Sequence, residues 1–192
     1  LLLHTSYPEK QGWNLGYHIS EEGVGGKVLA TYICKTCGRW KIDFFRDSLN
    51  YCEHCKTISS VMPSVAMGLE VKDLVKIYNV MDLYVQYAIC EGFGMPQVEA
   101  TACGVPIASS NYSAMEDVLK WTKGYPINIK KMYRELETNA ERVFPDNDHL
   151  VEIMINHLML SPEEKIKKSQ EVRQGTIERY DWDDCAKAWM QY

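Results

Sequence analysis

The chain has no apolar stretch approaching the ~20 residues that a bilayer-spanning helix requires. It has no excess of positive charge. Its 21 Lys and Arg against 26 Asp and Glu give a formal net charge of -5, which argues against a protein whose main partner is a nucleic-acid backbone. Internal repeats and low-complexity tracts are absent, which excludes a solenoid or a linker-like chain. No initiating methionine and no basic segment precede the opening "LLLHTSYPEK". That stretch is therefore not expected to be a signal peptide, and its abrupt apolar start reads as that of a chain cut from a longer protein.

What is present fits a soluble globular protein of 192 residues, 46% hydrophobic and 24% charged, enough for one full domain with a small insert. Four of the seven cysteines fall in two C-x-x-C pairs, Cys34/Cys37 and Cys52/Cys55; Cys90, Cys103 and Cys185 are scattered. An odd count with paired knuckles suits a reducing compartment such as the cytoplasm, and a metal site rather than a disulfide framework.

Periodicity gives the order of elements. "LLLHTS" reads as a short buried strand, "WNLGYHISEEG" as a helix ending at Gly23, and "KVLATYI" as a strand entering the first cysteine pair. "TISSVMPSV" is a strand after the second pair, and "EVKDLVKIYNVM" has helix spacing. "DLYVQYAI" is a strand, "VPIAS" another, and "SAMEDVLKW" a short helix. From residue 64 to 120 strands and helices alternate, the pattern of a parallel α/β sheet. "GYPINI" is one more strand, and the charged "KKMYRELETNAER" is expected to be an inserted helix or a solvated loop. Two helices follow, the second with Ser161 as N-cap, Pro162 in the first turn and Glu164 closing a capping box. In the first of them Leu150, Met154, Leu158 and Met159 are expected to face the core. "DWDDCAKAWMQY" forms a final amphipathic helix.

The two cysteine pairs are separated by fourteen residues, long enough for two strands and a turn. Each pair can turn two thiolates toward one centre, and together Cys34, Cys37, Cys52 and Cys55 complete the tetrahedral sulfur set that suits Zn²⁺. A structural zinc ribbon over residues 31–57 is expected. Four thiolates leave no open position for substrate, so the metal is expected to staple rather than catalyse. The insert interleaves Lys35, Arg39, Lys41, Arg46 and Lys56 with Trp40, Phe44 and Phe45, but Asp43, Asp47 and Glu53 dilute its charge. A stapled insert is therefore preferred to a single-strand binder.

The stretch "EGFGMPQVEATACGVPIAS" carries most of the chemistry. Glu91 closely follows a strand, where ligands of an open parallel sheet bind. Gly92 and Gly94 let the backbone turn tightly and approach a ligand. Pro96 fits a first helical turn, so a helix is expected to start near Met95, its free N–H groups facing the same crevice as a ready anion site. Glu99 lies one turn in, and Gly104 fits the position after the helix end. Carboxylates repel phosphate but accept hydrogen bonds from hydroxyls, so a ligand with hydroxyls at both ends and phosphates between satisfies all three features. A nucleotide sugar is such a ligand.

The same stretch resembles the E-x7-E signature of retaining glycosyltransferases with the GT-B fold, a large family that includes sucrose and glycogen synthase relatives. The family pattern E-G-F-G-x-P-x-x-E-A-x-A-x-G-x-P is matched at every fixed position. "VKDLVKIYNVMDLYVQYA", "NYSAMEDVL" with Glu116, and "RYDWDDCAKAWMQY" resemble its flanks and closing helix. The resemblance implies a Rossmann-like parallel sheet with helices on both faces, spanning residues 1–192 and incomplete at its start, with the ribbon inserted. It implies Glu99 on the ribose hydroxyls and Glu91 against the transferred sugar. The glycine loop at Gly92 would serve the donor, with the amides of Phe93, Gly94 and Met95 on the donor sugar and diphosphate. It also implies hexosyl transfer with retention, without a catalytic metal, to a sugar, lipid or protein acceptor held by a separate N-terminal domain.

Two departures from the family shape the expectation. The Arg-then-Lys pair that follows the family's first strand has no counterpart here beyond Lys10, and the ribbon is foreign to the common pattern. The isolated chain is therefore expected at most to bind donor. Two rival readings compete with this one. A glycoside hydrolase also uses paired carboxylates, but has no phosphate site between them. A non-catalytic module would use its ribbon to bind protein or nucleic acid.

Overall fold

A computed structural model describes residues 1–9 and 12–191. The chain divides into two compact units, Leu1–Leu74 and Val75–Tyr192.

In the first unit, strand β1 (Leu2–Leu3) is followed by helix α1 (Leu15–Glu21), and then by β2 (Leu29–Cys34), β3 (Trp40–Phe44), β4 (Asn50–Cys52) and β5 (Thr57–Val61). The centre is β2, buried from Ala30 to Cys34. One edge of β2 carries antiparallel β3 from Leu29 to Ile33. The other edge is shared, with parallel β1 at Leu29 and Ala30 and antiparallel β5 at Ile33 and Cys34. β4 closes the sheet against β5. Two short hairpins thus meet with a C-x-x-C turn in each. The core is small: one cluster is Ala30, Tyr32 and Met62 with Leu3, Tyr7 and Phe45 against them, and Val28 and Ile33 are buried as well.

The second unit takes in the last half of helix α2 (Val71–Tyr78), followed by strand β6 (Tyr84–Gln86), helix α3 (Met95–Ala102), strand β7 (Ile107–Ser110), helix α4 (Ala114–Thr122) and strand β8 (Tyr125–Ile127). β6, β7 and β8 pair in parallel in that order, as the strand–helix alternation predicts. Successive side chains of a strand point to opposite faces. From β7, Ala108 packs with Ile153 of a later helix, α5 (Asn147–Leu158), while the Ser109 hydroxyl donates to Gln97 Oε1 of α3 at 2.6 Å. Helices therefore cover both faces of this sheet.

Helix α6 (Pro162–Arg179) begins with the predicted capping box, Ser161 accepting from the Glu164 amide and Glu164 from the Ser161 amide. It lies against α3 and α4. The Thr176 hydroxyl donates to Thr101 Oγ1 at 2.7 Å, and Gly175 sits where a Cβ would stand 2.1 Å from the Trp121 carbonyl oxygen. Gly175→Ala gains ~1 kcal/mol of helix propensity but drives a methyl into backbone that cannot swing aside. A net loss of about 2 kcal/mol is expected, read as a lower denaturant midpoint with an unchanged slope. The last helix is α7 (Trp182–Met190), capped by Asp181 and with no buried residue.

Two sequence expectations are overturned. "KKMYRELETNAER" is neither helix nor loop. It belongs to a hairpin of β9 (Ile129–Arg134) and β10 (Glu141–Pro145), turned at Asn139, whose φ is +56°. Arg134 pairs with Glu141 directly opposite at 3.2 Å, and Tyr133 stacks on Phe144 at 4.6 Å, so cross-strand pairs replace the helical register the charges suggested. In α5 the inward residues are Leu150, Ile153 and His157; Met154, Leu158 and Met159 are exposed. His157 stays buried because Tyr125 Oη and the Asp82 carbonyl satisfy its two ring nitrogens. The helix is turned relative to the expected stripe because a hydrogen-bonded histidine, not a methionine, fills the core position. Strand β6 is also shorter than "DLYVQYAI". Beyond Gln86 the chain turns to the hairpin: the Tyr87 hydroxyl bonds the Pro145 carbonyl and the Ile89 carbonyl accepts from the Val143 amide.

Candidate functional site

Strand β6 is followed immediately by the glycine loop, and the loop by α3, which starts at Met95 as expected. Gly94 is the N-cap, with φ +82° and ψ 55°, and Pro96 lies in the first turn. A side chain at residue 94 is excluded twice: the left-handed φ disfavours it, and a Cβ would lie 2.1 Å from Gln97 Nε2. Gly92 differs, since its Cβ would meet open space. Because the N-cap has no side chain, no side-chain cap hydrogen bond reaches the first turn; there Pro96 carries no N–H and the Gln97 amide donates to the Gly94 carbonyl at 3.0 Å, which leaves the Met95 amide to open the helix. Beneath them Gln97 is fully buried, and its Nε2 has no hydrogen-bond partner. The helix mouth thus combines the Met95 amide, the positive end of the helix dipole and one unspent side-chain donor. At the other end Gly104, φ +78°, follows the Cys103 cap as predicted.

Glu99 is held by the buried Tyr78 and Glu91 by Gln86, which is itself bonded by the half-buried Tyr84. Tyr78, the last residue of α2, donates its hydroxyl to Glu99 Oε2 at 2.8 Å. Tyr84 donates to Gln86 Oε1 at 2.7 Å, and Gln86 Nε2 donates to Glu91 Oε1 at 2.9 Å. The two tyrosine rings meet edge to face with centroids 6.2 Å apart. Burial, then Glu91 and Glu99 in turn, push the Tyr84 hydroxyl up to about 12, so this one group senses both carboxylates. Burial and the Glu99 contact raise the Tyr78 hydroxyl well above its ordinary range. Both phenols therefore remain donors. The Ser113 hydroxyl, at the start of α4, donates to the Glu91 carbonyl at 2.9 Å and ties the loop to the next helix. Burial and then Glu99 raise the Cys103 thiol, consistent with an inert core position. A groove of about 290 Å³ opens beside the loop, lined by Gly92, Phe93, Asp117, Trp121, Arg179 and Tyr180. Arg179 lies 5.2 Å from the Trp121 ring centroid, and Phe93 meets Tyr180 edge to face at 5.7 Å.

The sequence names Glu91, Glu99, the glycine loop and the helix mouth as candidates. Beside them the structure sets Tyr78, Tyr84 and Gln86, and in the adjoining groove Arg179, none of which the sequence pattern singled out. Tyr84 and Gln86 alternate on one strand, so a polar pair inside an apolar run was the available signal. Tyr78 and Arg179 come to the site through packing. Lys10, the weak substitute for a missing cation, lies outside the described residues.

In the first unit, Cys34, Cys37, Cys52 and Cys55 bring their sulfurs within 4.8 Å of one another. Cys34–Cys55 is 3.5 Å and Cys37–Cys52 is 3.6 Å. Tetrahedral ligands at ~2.3 Å from a zinc ion would stand about 3.8 Å apart, so the set fits. The Cys34 sulfur is bonded by the Ser59 hydroxyl at 3.1 Å and receives the backbone N–H groups of Cys37 and Thr36; Cys52 receives those of Cys55 and His54. Each knuckle thus turns its own amides onto its first sulfur. The Ser59 contact, aided by those amides, lowers the Cys34 thiol to about 5. The Arg39 amide favours the Cys37 thiolate, but burial and the three neighbouring sulfurs outweigh it and carry the group to about 12. Four sulfurs this close cannot all ionise without a cation among them. His54 is not in the cluster. The basic face expected of this insert is partly quenched: Lys41 pairs with Asp43 at 2.8 Å, and Asp47 accepts the Tyr7 hydroxyl at 2.8 Å.

Comparison with known proteins agrees with the second-unit geometry. Residues 61–152 match the family described as Glycosyl transferases group 1. Three curated proteins of Escherichia coli, each named Serotype-specific mannosyltransferase WbdA, are 33% identical over 67 residues, which is 34% of this chain and 8% of theirs. The chain thus spans a small part of the length of the curated relatives it matches. Among the described residues no helix is long and apolar enough to cross a membrane.

Proposed function

We propose that this chain is the donor side of a retaining glycosyltransferase and binds a nucleotide-diphosphate sugar at the mouth of α3. The observation that carries the reading is the arrangement around that mouth. The amides of the loop leading into the helix and the buried Gln97 donor offer themselves to an anion, while Glu91 and Glu99, both sensed by Tyr84, stand ready for hydroxyls. The match of residues 61–152 to a transferase family supports transfer over hydrolysis.

In this reading the Phe93, Gly94 and Met95 amides take the donor's diphosphate and sugar. Glu99 accepts from the ribose hydroxyls and Glu91 from a hydroxyl of the transferred sugar. Catalysis is then the stabilisation of charge on the departing diphosphate by preorganised donors, together with orientation of the sugar. A strong general base on the protein is not required, since the leaving diphosphate can take the acceptor proton on the same face. Acceptor binding and the completed cleft belong to a further domain of the parent protein, so the isolated chain binds donor and transfers little. The mannosyltransferase relatives make a hexose the proposed transferred sugar. The four cysteines hold one structural Zn²⁺, which folds the ribbon and takes no part in transfer.

The test is nucleotide-sugar binding, measured with UDP-, GDP- and ADP-sugars, by this chain and its Glu99→Ala variant. Equal binding by both removes the site from the account.

A further inference from the structure

Glu99 is the acidic group inside the first turns of α3, and one of its oxygens is already engaged. The Tyr78 hydroxyl donates to Oε2 at 2.8 Å. The ring behind it is 6% exposed and is braced edge to face by Tyr84 at 6.2 Å, so the phenol has little freedom to turn away. Tyr78 ends α2, and the following residues Asn79 and Val80 carry the chain round toward β6, their amides bonded back to the Val75 and Ile77 carbonyls. The donor is thus fixed by backbone on one side and by a second tyrosine on the other.

A free glutamate side chain has three rotatable bonds, and its carboxylate sweeps a wide arc. A carboxylate that must accept from two adjacent hydroxyls needs its plane and its free lone pairs presented in one orientation. One fixed donor on Oε2 supplies that orientation. It leaves Oε1 and the remaining lone pair of Oε2 for the ligand, since a carboxylate offers about four acceptor positions. The Tyr78 phenol, raised above its ordinary range by burial and by Glu99 itself, stays protonated and can only donate here.

We infer that Tyr78 is a positioning residue for Glu99, orienting its carboxylate to receive the vicinal hydroxyls of a ribose. The inference rests on the donor-site reading above, and it concerns a side chain that does not touch the ligand.

The experiment uses the 192-residue chain, with UDP, GDP and ADP and their 2′-deoxy counterparts as probes, in four proteins: wild type, Tyr78→Phe, Glu99→Gln and the double variant. Thermal midpoints are recorded alongside affinities. The wild-type protein is expected to bind its preferred ribonucleotide ~10-fold more tightly than the deoxy form. Tyr78→Phe keeps the ring and removes only the hydroxyl. It is expected to weaken ribonucleotide binding by roughly 5-fold and deoxynucleotide binding by less than about 2-fold, so that discrimination falls. The double variant is expected to bind no more weakly than Glu99→Gln alone, because the phenol acts through that carboxylate.

Undiminished discrimination in Tyr78→Phe, or an equal loss for both sugars, overturns the inference and leaves the donor site standing. A further loss in the double variant beyond Glu99→Gln overturns it even if Tyr78→Phe is destabilised. A wild-type protein that binds no nucleotide, or does not distinguish ribose from deoxyribose, overturns the reading of Glu99 itself and the inference with it.

Discussion

Replacing Cys37 and Cys52 together with serine is expected to unfold the strands from Leu29 to Val61. The two residues face each other across the cluster at 3.6 Å, one from each knuckle, so the change leaves at most two sulfurs for a metal. What remains to hold the strands is little. Apart from the cysteines, the buried apolar residues described in these strands and beside them are Val28, Ala30, Tyr32, Ile33 and Met62. At ~25 cal/mol per Å² a cluster of this size does not offset the entropy of ordering more than thirty residues. A structural zinc site supplies on the order of 10–16 kcal/mol at neutral pH, larger than any other single contribution in this unit. The wild-type chain is therefore expected to carry one zinc per molecule and to lose amide protection in β2 and β5 when a strong chelator removes it. Protection that survives chelation, or a chain that purifies without metal and is equally folded, would contradict the assignment. Acidification acts in the same direction as chelation, because protons compete for the thiolates.

The second large effect concerns Glu99. In the proposed site, Glu99→Ala removes the acceptor assigned to the ligand hydroxyls, and it leaves the Tyr78 hydroxyl without its partner. Hydrogen bonds to a charged group contribute ~1.5–3 kcal/mol each, so the loss of a bidentate contact, at least about 3 kcal/mol, is expected to weaken nucleotide-sugar binding by roughly 100-fold or more. The helix should survive, since residue 99 lies inside α3 and alanine is the best helix former. Folding and binding are thus separable in this variant. Calorimetric titration of the nucleotide sugar preferred by the wild-type chain checks the size of the loss, and a change below about 3-fold contradicts the assigned role.

How much of this was readable from the residues depends on the range of the interaction that decides each element. The start of α3 at Met95, the glycine at 104 and the capping box at Ser161 are set by neighbours within a few positions, and all appear where the local chemistry puts them. The cysteine cluster is equally legible, because metal-type knuckles are local turns and only their pairing is long-range. The hairpin of β9 and β10 is decided across strands, by Arg134 opposite Glu141 and Tyr133 against Phe144, and no helical window contains those pairs. The one local signal was Asn139, a residue type that tolerates the left-handed turn conformation it adopts at φ +56°. In α5 the inward face is fixed by what Tyr125 and Asp82 offer to His157, which a count of apolar side chains does not register. The same holds at the site. Glu91 and Glu99 could be read from their spacing, but Tyr78 and Gln86, which hold them, arrive from α2 and β6 only once the chain has folded.

The central claim is that a diphosphate rests on the amides opening α3. Amide-resolved NMR of the chain, titrated with its preferred nucleoside diphosphate, tests this most directly. The account predicts that the backbone signals of Phe93, Gly94 and Met95, and the side-chain amide of Gln97, shift together at one saturating site. Saturable binding that leaves those four signals unmoved would contradict it.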